Sequence, residues 1–228
     1  MAGARASHGA SIPLASGAEA RLTNAGARRA VVLVDGGRRE EVEGTWSASL
    51  EWLVRRLAPA FPGLAFLEVR YRVKSWRRLD LCVEDGRAAL EEAAARGAAA
   101  TLLVGFSMGG AVAASVAAHP TVRAVVGLAP WLPDALPLDG LAGRRFAVVH
   151  GALDRALPGV PGVAPAGSRR GFERARRAGV VDAEYTVIAG AGHAIALRAP
   201  WGVVPLPRAR RWAELVAREL RRFERTSA

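Results

Sequence analysis

One stretch near the middle of the chain restricts the possible folds more than any other. Residues 98–119 read AAATLLVGFSMGGAVAASVAAH. The apolar run at 101–104 predicts a buried strand, and the small-residue run at 109–118 predicts a tightly packed helix. Between them lies Gly105-Phe-Ser-Met-Gly109, a Gly-x-Ser-x-Gly pattern that sets Ser107 on a sharp strand-to-helix turn. Glycines two residues either side of the serine remove side chains that would collide where strand and helix come close. The helix N-terminus behind the serine favours negative charge at that point.

The rest of the chain repeats the same alternation. Apolar runs predict strands at 31–34, 64–71, 122–128, 145–149 and 183–188, with a short edge strand at 19–23 and a turn at 24–27. Helical spacing predicts helices at 45–57 with Thr45 as N-cap, at 80–96, at 168–178 and at 208–223. The last carries Trp212, Leu215, Val216, Leu220 and Phe223 on one side. Residues 72–78 read as a basic, aromatic loop, and 158–167 as a Pro/Gly-rich loop. Strands alternating with helices predict an α/β protein, with a mostly parallel sheet covered on both faces. Residues 1–17 read as a flexible tail, and 18–228 as one domain. Little chain lies between Trp131 and Arg144, so no substantial cap is expected.

Composition narrows the function classes. The chain has 228 residues, 51% hydrophobic and 23% charged, enough apolar material for a sizeable core. No run is long enough to span a bilayer, and the N-terminus lacks the continuous apolar stretch of a secretory signal. With Cys82 as the one cysteine, no intrachain disulfide forms, which fits a cytoplasmic protein. The formal charge of +11 comes almost entirely from arginine. The arginines are scattered in pairs along the chain and lack the clustering with aromatics of a nucleic-acid footprint. The expected partner is therefore a small molecule, with no nucleic acid and no membrane.

In open α/β sheets, ligands bind at the carboxyl ends of the strands. Gly36-Gly37, Ser107, Trp131, Asp154 and His193 all fall just after a predicted strand. A nucleophilic serine needs a base within hydrogen-bond reach, and the base needs an orienting acid. Of the four histidines, His8 lies in the tail and His119 at a helix end. His150 reads as structural. His193 follows Gly192 in a post-strand loop and is the best base. Asp154 is the best acid, with Asp134 and Asp139 as rivals.

The order Ser107, Asp154, His193 is that of α/β-hydrolases. Gly105-Phe-Ser-Met-Gly-Gly110, His150-Gly-x-x-Asp154 and Gly192-His193 resemble that superfamily over residues 29–224. The likeness runs toward small bacterial dienelactone-hydrolase-like and serine-aminopeptidase-like enzymes. The resemblance implies Ser107 as nucleophile, His193 as general base and Asp154 as its orienter. It also implies an oxyanion hole from the backbone N–H groups of Met108 and Gly37, and no metal or cofactor. Phe106 and Trp131, with Trp46 and Trp201 as further candidates, are expected to wall the pocket, although Trp46 reads first as core. One departure stands out: Asp35 precedes Gly36 where the family often has histidine.

These residues lead to the expectation of a serine hydrolase acting on an ester or thioester. Two rivals differ in class: an α/β-hydrolase fold used for binding or regulation without turnover, and an acyltransferase with a non-water acceptor.

Overall fold

A computed structural model describes residues 9–155 and 162–225. In chain order its first half contains β1 (Ser11–Pro13), β2 (Glu19–Thr23), β3 (Arg29–Val34), β4 (Val42–Glu43), α1 (Ala48–Leu57), β5 (Ala65–Arg70), β6 (Val73–Lys74), α2 (Leu79–Ala95) and β7 (Ala100–Phe106). Its second half contains α3 (Gly109–Val116), β8 (Val122–Leu128), β9 (Arg145–Gly151), α4 (Pro165–Arg177), β10 (Asp182–Ile188), β11 (Ala196–Ala199), β12 (Gly202–Pro205) and α5 (Ala209–Arg225).

Eight strands form one sheet in the order β1-β2-β5-β3-β7-β8-β9-β10. The two pairings at the β1 end are antiparallel, and every other pairing is parallel. Alternation along β3 explains the layers. Val31 and Leu33 pack with Leu50, Leu53 and Val54 of α1 and with Trp212, Leu215 and Leu220 of α5. Val32 and Val34 pack on the other face with α2, α3 and α4. A period of two thus buries both faces of a strand that is apolar throughout.

The site is placed by the crossovers. After β3 the chain turns outward to β5, then returns past β3 to β7 and continues in the opposite direction. The switch point of the sheet therefore lies between β3 and β7, the place where open α/β sheets bind ligands. Gly36 and Gly37 follow β3 and Ser107 follows β7, so the topology brings these two turns together.

Several local expectations are revised. The sheet begins within residues read as tail: Ser11–Pro13 pairs with β2, and Leu14 is buried. The N-cap of α1 is Ser47, whose Oγ accepts from Leu50 N–H, and not Thr45. The loop at 72–78 contains β6 and a 3-10 turn at Trp76–Arg78. An antiparallel hairpin, β11 with β12, stands between His193 and α5. Of the loop read at 158–167, residues 158–161 lie outside the described residues. Between β8 and β9 only a 3-10 turn at Asp139–Leu141 forms, so no cap domain is inserted there. Among the described residues no helix is long and apolar enough to cross a membrane.

Candidate active site

Ser107 has a φ of +55°. A non-glycine residue in the left-handed region costs on the order of 1–2 kcal/mol, and here packing enforces it. A Cβ at Gly105 would lie 2.2 Å from Gly109 O, and one at Gly109 would lie 2.2 Å from Val34 O. Only glycine lets α3 start so close to β7 and β3. Ser107 N–H donates to Leu128 O at 2.9 Å. Its carbonyl accepts from Gly110 N–H at 2.9 Å and Trp131 N–H at 2.8 Å. The turn is thereby tied to β8 and to the loop leaving it.

The β3 loop closes on this turn. A Cβ at Gly36 would lie 3.0 Å from Ser107 Cβ, and one at Gly37 would lie 2.3 Å from Met108 Sδ and 2.4 Å from Trp76 Cδ1. Among the described residues, the N–H groups of Met108, Gly36 and Gly37 donate to no carbonyl. Two such donors beside a serine are what an oxyanion requires. Asp35 is buried, and its carboxylate is ion-paired with Lys74 Nζ. Its carbonyl accepts from Tyr71 Oη at 3.0 Å. Trp76 N–H donates to Arg38 O at 2.8 Å, and β4 pairs with β6. Residues 35–44 are therefore strapped to residues 71–76.

On the opposite side, His193 Nδ1 lies 2.7 Å from Asp154 Oδ2. Asp154 Oδ1 accepts from Val163 N–H at 3.0 Å. Burial alone would raise the Asp154 pKa, but the donors His150 and His193 outweigh it and hold the carboxyl below its ordinary value. The His193 ring packs on Phe106, centroid to centroid 5.1 Å, so it sits beside the residue preceding Ser107. With Nδ1 engaged by the acid, Nε2 is the nitrogen left for the serine. Among the described residues Ser107 Oγ makes no hydrogen bond with His193.

The structure sorts the other sequence candidates. Asp134 is exposed, 3.9 Å from Arg174, and neither it nor Asp139 bonds a histidine among the described residues. His119 bonds Thr121 Oγ1 locally at 2.9 Å, and His8 lies outside the described residues. Trp131 stacks with Trp76 at 6.5 Å beside the β3 loop. Trp46 is half-buried under the Arg21 guanidinium, 4.0 Å from its ring, and Trp201 is 83% exposed at the β11–β12 turn. The residue that sequence reasoning passed over is His150. It is fully buried, and its Nε2 lies 2.9 Å from the same Asp154 Oδ2. The only sequence signal was the His-x-x-x-Asp spacing after a strand. Among the described residues no group of three or more His, Cys, Asp or Glu could hold a metal ion.

No protein-family model matches the chain, and no curated protein matches it. Solved structures do. Esterase PE8 is 20% identical with a TM-score of 0.64, covering 93% of this chain and 98% of that one. The monoacylglycerol lipase of Paleococcus ferrophilus is 17% identical with a TM-score of 0.62, covering 89% and 98%. An alpha-beta serine hydrolase homologue from Coxiella burnetii is 19% identical with a TM-score of 0.64, covering 92% and 96%. The chain has the α/β-hydrolase fold.

Proposed function

We propose that this protein is a serine hydrolase that cleaves a carboxylic ester or thioester of modest size through an acyl-enzyme on Ser107. The observation that carries the reading is a juxtaposition at the switch point of the sheet. A serine held at φ +55° shares the carboxyl edge with His193, whose Nδ1 is 2.7 Å from a buried carboxylate.

The chemistry follows from the positions. His193 Nε2 accepts the Ser107 hydroxyl proton as Oγ attacks the carbonyl carbon, a contact that in ligand-free sites is often long and tightens on binding. Asp154 keeps Nδ1–H in place and stabilises the imidazolium that forms. The tetrahedral oxyanion accepts from the N–H groups of Met108 and Gly37. His193 then protonates the leaving alkoxide or thiolate. Water, deprotonated by His193, attacks the acyl-enzyme and frees the acid, restoring Ser107. Phe106 and Trp131 offer an apolar wall for the acyl group. The names esterase and monoacylglycerol lipase among structures of the same fold support an ester as the substrate.

The test is labelling with a fluorophosphonate probe, read by intact mass. One label per chain is expected, abolished in Ser107→Ala and strongly slowed in His193→Ala. A folded wild-type chain that takes up no label overturns the reading in favour of a binding or regulatory role.

A further inference from the structure

The acid of the site is shared. Asp154 Oδ2 faces two imidazoles, His193 Nδ1 at 2.7 Å and His150 Nε2 at 2.9 Å. The same His150 nitrogen lies 2.8 Å from Val163 O. An ionised carboxylate and a backbone carbonyl both only accept, so His150 Nε2 must carry the proton. Its other nitrogen, Nδ1, is 2.7 Å from Ser168 Oγ. Ser168 is fully buried and lies 2.6 Å from Tyr185 Oη and 3.2 Å from Pro165 O. Tyr185 Oη donates to Pro165 O at 3.0 Å. With a neutral imidazole the short contacts are satisfied together when Tyr185 Oη donates to Ser168 Oγ, sharing its proton with Pro165 O, Ser168 Oγ donates to Nδ1, and His150 donates through Nε2 to the acid. The hydroxyls fix the tautomer, and the tautomer fixes the donor.

We propose that His150 is a positioning residue. From the end of β9 it donates to Asp154 Oδ2 and so sets the oxygen that orients His193, while Ser168 and Tyr185 hold its tautomer. This rests on the serine hydrolase reading above. His150 touches no reacting atom. It acts by preventing the carboxylate from rotating about its own axis, which Val163 N–H on Oδ1 alone does not do. Rotation would move the acceptor away from His193 Nδ1 while leaving the fold intact.

The test compares fluorophosphonate labelling rates of the full chain in four variants, alongside thermal melts. His150→Gln places an amide N–H near the Nε2 position, whereas His150→Asn places it near Nδ1. A side chain that merely fills a polar cavity would tolerate both alike. The expected result is that Gln stays within about fivefold of wild type, while Asn and His150→Phe fall by about 10²-fold, the scale of a misplacement of about 1 Å. Proton NMR should show a downfield His193 Nδ1–H resonance in wild type and His150→Gln that is lost in His150→Asn. Ser168→Ala, which leaves both rings in place, carries the test should His150→Phe not fold, with labelling several-fold slower. Equal rates for Gln and Asn, or a wild-type rate in Phe or in Ser168→Ala, overturn the inference and leave the functional reading intact. A wild-type chain that takes no label overturns both, and is recognised by that alone.

Discussion

The two flanks of Ser107 are built on different physics. The acid flank, His150, Asp154 and Ser168 with Tyr185 and His193, is held by side-chain hydrogen bonds between 2.6 and 3.2 Å. The oxyanion flank, residues 35–44 against 71–76, is held by the Asp35–Lys74 ion pair and by backbone bonds such as Trp76 N–H to Arg38 O. A charge pair attracts from any direction, so it anchors a loop without aiming it, and the aim comes from the β4–β6 ribbon. Hydrogen bonds through imidazoles do both at once. Breaking the acid flank should therefore cost function without fold, whereas breaking the ion pair that anchors the oxyanion flank should cost both together.

Asp154→Asn should break the acid flank hardest. An amide cannot accept both from the imidazoles on one side and from Val163 N–H on the other, and it turns a donor toward one of them, so kcat/KM on an ester substrate is expected to fall about 10⁴-fold. Gly37→Ala comes next. Its Cβ would meet Met108 Sδ at 2.3 Å and Trp76 Cδ1 at 2.4 Å, forcing the loop away from the oxyanion. Steady-state kinetics should show a loss of about 10²-fold in kcat with little change in KM. Lys74→Met strands a buried carboxylate, and unfolding should show a loss of about 3 kcal/mol with roughly tenfold lower activity. Combining it with Asp35→Asn should recover most of the stability, because no unpaired charge then remains.

The smallest effect on activity is expected at Glu68, a buried residue on β5 outside both flanks. Burial, only partly offset by Arg21, pushes its pKa from 4.5 up to about 7. Between those values the folded chain holds a proton that the unfolded chain has lost, so stability is full below pH 4.5 and falls as pH rises toward 7. The decline should be roughly 3 kcal/mol at about 1.4 per pH unit. Denaturant titrations of Glu68→Gln should lack this slope, with activity at pH 7 unchanged.

The centre of the site was legible because its geometry is local. The Gly105-to-Gly109 turn needs no distant partner to be recognised, and the post-strand placement of Asp154 and His193 follows from the alternation of elements. What escaped depends on where the chain goes after a strand ends. His150 and Asp154 are four apart but on no helix; they meet because Asp154 N–H returns to Gly151 O at 3.1 Å. The strands β4 and β6 are two residues each, too short for any periodicity. Thr45 and Ser47 are equivalent caps by residue type, and only the helix start at Ala48 selects the serine. Asp35 stood out only as a departure from the family's histidine, since its partner Lys74 is distant in sequence.

The oxyanion flank also carries its own chemical reporters. Lys74 is the only lysine of the chain and Cys82 the only cysteine; the first belongs to the strap, and the second bonds to it from α2. The ammonium is paired with Asp35, and the Cys82 thiol, fully buried with its pKa pushed up to about 11, donates to Val73 O at 3.2 Å. Burial should slow reaction of the thiol, and the ion pair that of the amine, while the strap is closed. An amine reagent and a thiol reagent added together therefore act as a two-channel clock. Modification of both at one rate would time the opening of the whole strap. Thiol modification lagging the amine would show the ion pair parting first, with the ribbon beneath it still in place.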